Sequence, residues 1–304
     1  MGMRAVFPEL AVDDIHGLAI TRMPFPAKPG FVAHTDDVTA AMDRGREQGV
    51  DFTRQFADFR PSVASQLREN LSVLRYAGAL LPRPFSSVAL DPDRVPVLLV
   101  PGFLSGDFAM APMSEALRRV GHWTSPSGIA PNIGCTRVLA DLLEGTLVAA
   151  AQTTGRRVAI VGWSRGGTLG KIIAIRRPEL VSALITLGTP NTDPLAINPT
   201  LALQLQVLTR LTALGVPGLL GDDCLNGDCA AQVLEWLDAD FPKDVPYVSA
   251  FSMTDAVIDW RACLDPAARH VEVESSHMAM GAEPAVIDLV RSLLIDIAPE
   301  AVTL

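Results

Sequence analysis

Residues 158–168 read VAIVGWSRGGT, so Ser164 ends an apolar run and sits between glycines in the pattern Gly162-Trp163-Ser164-Arg165-Gly166. A serine hydroxyl is a weak nucleophile at neutral pH. It needs a base to take its proton and a carboxylate to orient that base. Glycines around such a serine have a steric reason, because a strained turn between strand and helix leaves no room for flanking side chains. Here an extended apolar run precedes Ser164 and a helical pattern follows it, which is the strand–turn–helix setting the motif requires.

That chemistry calls for two further side chains and two backbone donors. Asp255 lies two residues beyond the extended run PYVSAFSM (246–253) and is the expected orienting acid, with Asp259 as the alternative. Among the five histidines, His16 and His34 fall in the N-terminal segment, His122 precedes a short extended piece, and His270 opens the run HVEVES (270–275) at the wrong edge. His277 follows that run in SSHMAMG and is the expected base. An oxyanion would be met by the backbone N–H of Arg165, at a helix start where the dipole helps, and by a second N–H just after VLLV (97–100). Phe103 is the candidate for that second donor and Leu104 the fallback.

Positioning these groups at one edge requires a sheet. From Val95 onward, short apolar runs alternate with helical patterns, the signature of parallel βαβ units. Extended runs at 95–100, near Trp123, and at 157–163, 183–188, 246–253 and 270–275 predict a mostly parallel sheet of about six strands. Helices are expected over about 107–120, 136–152, 165–177 and 284–297. Residues 191–245 interrupt the rhythm as an insertion that holds the leucine-rich PTLALQLQVLTRL (199–211) and the acidic loop GDDCLNGDC (221–229). Upstream, Pro8, Pro24, Pro26 and Pro29 predict an irregular arm over 1–34, followed by helices over 35–59 and 62–81. The second of these places Val63, Leu67, Leu71 and Leu74 on one face, which would need a partner surface. The chain thus divides into an N-terminal extension (1–90), a core (91–190 and 246–304) and a cap insertion (191–245).

Composition narrows the function classes. The chain has 304 residues, 49% hydrophobic and 19% charged, which suits an ordinary folded core. The net charge is −9 with scattered basic residues, which argues against a nucleic-acid partner. No run of eighteen apolar residues suggests a transmembrane helix, and Pro8, Glu9, Asp13 and Asp14 stand where a signal peptide needs apolar residues, so a cytoplasmic location is expected. Four cysteines are too few to scaffold the chain; whether Cys224, Cys229 and Cys263 form a disulfide stays open, although Cys224 and Cys229 are close enough for a local bridge. Zinc would need third and fourth ligands, and no further Cys or His pair at suitable spacing accompanies Cys224 and Cys229, so no metal is expected. The segments GGTLGK and DDCLNGD fail the phosphate-loop and calcium-loop patterns, and without G-x-G-x-x-G no dinucleotide is expected either.

Four pieces in order, VLLVPGFLSGD, GWSRGG, FSMTDAVIDW and SSHMAMG, resemble the α/β-hydrolase superfamily over roughly Val95 to Ile297. Within it they resemble the bacterial serine esterase and lipase branch with a proline-glycine oxyanion loop, here Pro101-Gly102 where many relatives have His-Gly. The resemblance implies that Ser164 attacks an ester carbonyl, His277 acts as base and then acid, Asp255 orients it, and water releases the acyl group, without cofactor. The implied substrate is a small-molecule ester with an apolar acyl group. Acyl transfer to an alcohol, or ligand binding without catalysis on the same fold, are the alternatives. The leucine-rich helix of the insertion either lines an acyl pocket as a lid or packs on the body. Oligomeric state is left open.

Overall fold

The structure is a computed structural model that describes residues 11–15, 18–22, 59–77 and 91–302. The helix expected over 35–59 falls outside these residues apart from Phe59, which is not helical, and His16 and His34 also fall outside them.

Two short strands, β1 (Ala11–Ile15) and β2 (Leu18–Arg22), pair as an antiparallel hairpin. Over 11–15 and 18–22 this corrects the expectation of an irregular arm, the rest of 1–34 lying outside the described residues. Pro8 and Pro24 bracket the hairpin rather than interrupt it, so no missing N–H breaks the ladder. Helix α1 (Val63–Ala77) follows, and then β3 (Val97–Val100), α2 (Ala111–Arg118) and the three-residue β4 (Thr124–Pro126). Beyond these come α3 (Thr136–Thr154), β5 (Val158–Trp163), α4 (Arg165–Arg176) and β6 (Val181–Leu187). The insertion holds α5 (Pro199–Ala213) and α6 (Asp228–Asp238), with a single helical turn at Asp223–Asn226 between them. The chain closes with β7 (Tyr247–Phe251), β8 (Arg269–Glu272) and α7 (Pro284–Ile295).

Strands β3 to β8 form the six-stranded parallel sheet expected from the sequence, and β2 extends it by pairing parallel with β8. The order is β1-β2-β8-β7-β6-β5-β3-β4. Side chains alternate across the sheet with period two. Val97 and Leu99 therefore join Met110, Met113, Val286 and Val290 on the α2 and α7 side, while Leu98 and Val100 join Leu143, Leu147, Ile172 and Ile173 on the α3 and α4 side. Both faces are covered, which is why β3, β5 and β6 read as near-continuous apolar runs.

The topology fixes where a site belongs. From β3 the chain steps outward to β4 and then returns to β5 on the other side of β3. Loops leaving the carboxyl ends of β3 and β5 diverge at that switch point and open a crevice between them. Phe103 lies just beyond β3, and Ser164 just beyond β5.

Helix α1 departs from expectation in orientation. Val63, Leu67 and Leu71 are 83%, 59% and 56% exposed, whereas Glu69 is buried. The helix turns its acidic side inward because backbone donors there satisfy the carboxylate, as described below. Among the described residues, no helix is long and apolar enough to cross a membrane.

Candidate active site

Strand β5 ends at Trp163 and α4 begins at Arg165, so Ser164 alone makes the turn, with φ 53° and ψ −129°. A non-glycine residue there costs about 1–3 kcal/mol and persists only where its surroundings hold it. Ser164 N–H donates to Leu187 O at 2.8 Å, while Ser164 O accepts from Gly167 N–H at 2.8 Å and from the Thr189 hydroxyl at 3.0 Å. The flanking glycines permit the close packing: a Cβ on Gly162 would lie 2.5 Å from Gly167 Cα, and one on Gly166 would strike the carbonyls of Val100 and Pro101.

The loops after β7 and β8 bring Asp255 and His277 together, with His277 Nδ1 2.7 Å from Asp255 Oδ2. Asp255 is held from its other oxygen, since Oδ1 accepts the N–H groups of Val257 and Ile258 at 2.8 Å each. An Nδ1–H given to the carboxylate leaves Nε2 as the basic nitrogen. Ser164, Asp255 and His277 are 5%, 3% and 2% exposed, so the Asp255 charge acts on His277 with little screening by water. Trp163 Nε1 donates to His277 O at 3.1 Å, which ties the histidine loop to the strand that bears Ser164. Asp259 takes no part in this pair: it caps the 3-10 turn at Trp260–Cys263 and accepts Arg261 N–H at 3.0 Å. His122 is buried with Nδ1 2.8 Å from Val95 O, and His270 is buried within β8.

A second carboxylate reaches the histidine loop, and no motif announced it. Glu69 of α1 accepts the backbone N–H of His277 at 3.1 Å and that of Met278. Its neighbour Arg68 donates to Thr254 Oγ1 at 2.9 Å, beside Asp255. One helical turn of the N-terminal extension thus holds both the acid loop and the base loop. Burial pushes the Glu69 carboxyl above its usual 4.5, against the pull of the Met278 and His277 amides. Burial would lower His277, but the charge and hydrogen bond of Asp255, with Glu69 adding its charge, raise it above the ordinary 6.5.

Of the two expected backbone donors, Arg165 directly follows Ser164 and Phe103 lies just beyond β3. Arg165 opens α4, and Phe103 lines the pocket at Ser164. Leu104 has φ 59° and its N–H donates to Asn132 O at 3.3 Å, so it is already engaged. The Arg165 guanidinium also has a place: Nη1 bonds Asn132 O and Oδ1 at 3.2 and 3.1 Å, and Nη2 bonds Gly134 O and Thr136 Oγ1 at 2.7 and 2.9 Å. Buried Asn132 in turn donates to Pro101 O at 2.8 Å. The side chain of Arg165 therefore braces the loop that carries Phe103.

The pocket opens on Ser164 and Thr168 from the core side. Its apolar wall comes from the insertion, through Leu195, Ile197, Leu201, Leu205, Leu220 and Leu225. Helix α5 divides its apolar residues, with Leu201 and Leu205 on the pocket and Leu203, Val207 and Leu211 exposed by 57%, 46% and 37%.

None of the four cysteines is in a disulfide, and Cys263 stands apart, buried. The third sulfur that spacing did not offer comes from Cys135, which meets Cys229 with 3.6 Å between the sulfurs.

No protein-family model matches this sequence, and no curated protein matches it significantly. Solved structures do match. The lipase BlEst2 of Bacillus licheniformis in its mature form is 16% identical with a TM-score of 0.55, over 69% of this chain and 96% of that one. The propeptide form of the same lipase is 17% identical with a TM-score of 0.55, over 73% of this chain and 56% of that one. Mouse alpha/beta hydrolase domain-containing protein 10 is 21% identical with a TM-score of 0.47, over 71% of this chain and 96% of that one.

Proposed function

We propose that this chain, which has the α/β-hydrolase fold, is a serine hydrolase that cleaves carboxylic esters with an apolar acyl group. The reading rests above all on the buried 2.7 Å contact between His277 and Asp255 at the same sheet edge as Ser164 in its strained turn. In the proposed reaction Ser164 Oγ attacks the ester carbonyl while His277 Nε2 takes the hydroxyl proton. Asp255 keeps the imidazole oriented and offsets the charge that forms on it. The oxyanion lies between the N–H groups of Phe103 and Arg165, the latter at the positive end of α4. His277 then gives its proton to the leaving alcohol. Water, deprotonated by the same nitrogen, attacks the acyl group on Ser164 and frees the acid.

The leucine-lined wall of the insertion supports an apolar acyl group and a cap role for 191–245. Similarity of fold to a lipase agrees with ester cleavage. A series of p-nitrophenyl esters from short to long acyl chains tests the reading. Turnover that vanishes in Ser164→Ala and improves in KM with chain length supports it. Turnover that survives Ser164→Ala assigns the chemistry elsewhere. Adding an alcohol acceptor separates hydrolysis from acyl transfer through the products.

A further inference from the structure

We propose that Cys135, Cys224 and Cys229 bind one thiophilic closed-shell metal ion, of the Zn2+ or Cu+ kind, through three thiolates. The three sulfurs lie within 4.8 Å of one another, the sole such group of potential ligands among the described residues. Their spacing is that of ligands around a common centre. With metal–sulfur bonds of about 2.3 Å, neighbouring sulfurs sit roughly 3.8 Å apart in a tetrahedral site, and about 4.0 Å in a planar one. The sulfurs of Cys135 and Cys229 are 3.6 Å apart, against about 2.05 Å for a disulfide.

The surroundings suit an anionic metal–thiolate centre. Three thiolates around Zn2+ carry net charge −1, and two guanidinium groups stand close by. Arg165 bonds Gly134 O and Thr136 Oγ1, the two residues that flank Cys135. Arg137 reaches Asp223, the residue before Cys224, at 3.4 Å. Asp223 also fixes the turn, because its Oδ1 accepts the N–H of Cys229 at 3.2 Å and so holds Cys224 and Cys229 to one side. Outer contacts of this kind orient ligands in metal sites. Cys229 is fully buried, while Cys135 and Cys224 are partly exposed, which leaves a route from solvent.

Binding exchanges three S–H bonds for three metal–sulfur bonds and releases three protons to solvent, with no change of oxidation state. Zn2+ would complete its shell with a non-protein ligand, whereas Cu+ is satisfied by three sulfurs. The centre would join the start of α3 in the core to the start of α6 in the insertion. Cys224 and Leu225 also line the pocket, so the metal would fix that wall beside Ser164. The proposal stands whether or not the chain cleaves esters.

Reduced, chelator-treated protein titrated with Cd2+ tests it. The expected result is a thiolate-to-metal charge-transfer band that saturates at one ion per chain, metal-dependent protection of the partly exposed Cys135 and Cys224 from a thiol reagent, and a higher Tm. Displacement of Cd2+ by Zn2+ or by Cu+ then shows which ion the site prefers. Cys135→Ser should weaken Cd2+ binding by ~100-fold or more. It should still fold, since serine is a favoured residue at a helix start. Cys263→Ser should bind like the native chain. Absence of the band in reduced protein, a band unchanged in Cys135→Ser, or a Cys135–Cys229 disulfide in protein isolated without oxidant would overturn the proposal.

Discussion

Around Ser164 the decisive contacts are short and buried, so single atoms should show in rate. Asp255→Asn would keep the shape but lose the charge that holds His277, and its turnover should fall by about 10^4-fold while Asp259→Asn stays near native. The reverse ranking would move the acid to Asp259. The pH profile carries a sign: the base must be neutral, and its pKa is raised above 6.5, so kcat/KM should climb with pH through a midpoint above 6.5. Removing a nearby negative charge lowers that midpoint. Glu69→Gln should shift it downward by less than about one unit, and an unmoved midpoint would reduce Glu69 to a structural contact. Gly188 has φ 53°, which glycine adopts freely and other residues do not, and a Cβ there would lie 2.7 Å from Met280 Sδ and 3.1 Å from His277 Nδ1. Gly188→Ala should cost about 10²-fold in kcat with the fold retained, measured as turnover beside circular dichroism.

At the scale of elements, the insertion and the N-terminal helix do most to define the site. Lys171 on α4 is buried against Asp265 at 2.5 Å and donates to Leu237 O on α6 at 2.9 Å, so it ties the core to the insertion. Lys171→Ala would leave Asp265 buried without its partner and should cost about 3–5 kcal/mol in denaturant unfolding. In α5, Leu201→Ala and Leu205→Ala should each raise KM for long-chain esters by roughly 10-fold and leave short-chain esters little changed. Equal losses at all chain lengths would mean that the helix supports the fold rather than the acyl group. The α1 helix shows why periodicity misleads: Val63, Leu67 and Leu71 form a valid apolar stripe, yet the buried contact is Glu69, because amide donors at His277 and Met278 outweigh an apolar preference. The prolines misled likewise over residues 11–22, since they bound the hairpin without entering it.

For the whole molecule, what was legible is what local pattern encodes. Strands β3, β5 and β6 are largely apolar runs, and a turn follows the carboxyl ends of β5, β7 and β8, so the positions of Ser164, Asp255 and His277 at one sheet edge could be read from order. Contacts that join distant segments were not legible. Glu69 is 208 residues from His277, and Cys135 is 94 from Cys229, and no spacing rule links either pair. The strand order places the crevice between β3 and β5, where Ser164 is the proposed nucleophile. The most direct measurement is labelling of the native protein with a fluorophosphonate probe, mapped by tandem mass spectrometry. One adduct is expected, on Ser164, absent in Ser164→Ala and much slower to form in His277→Ala. No adduct where a control esterase labels, or an adduct on another residue, would contradict it.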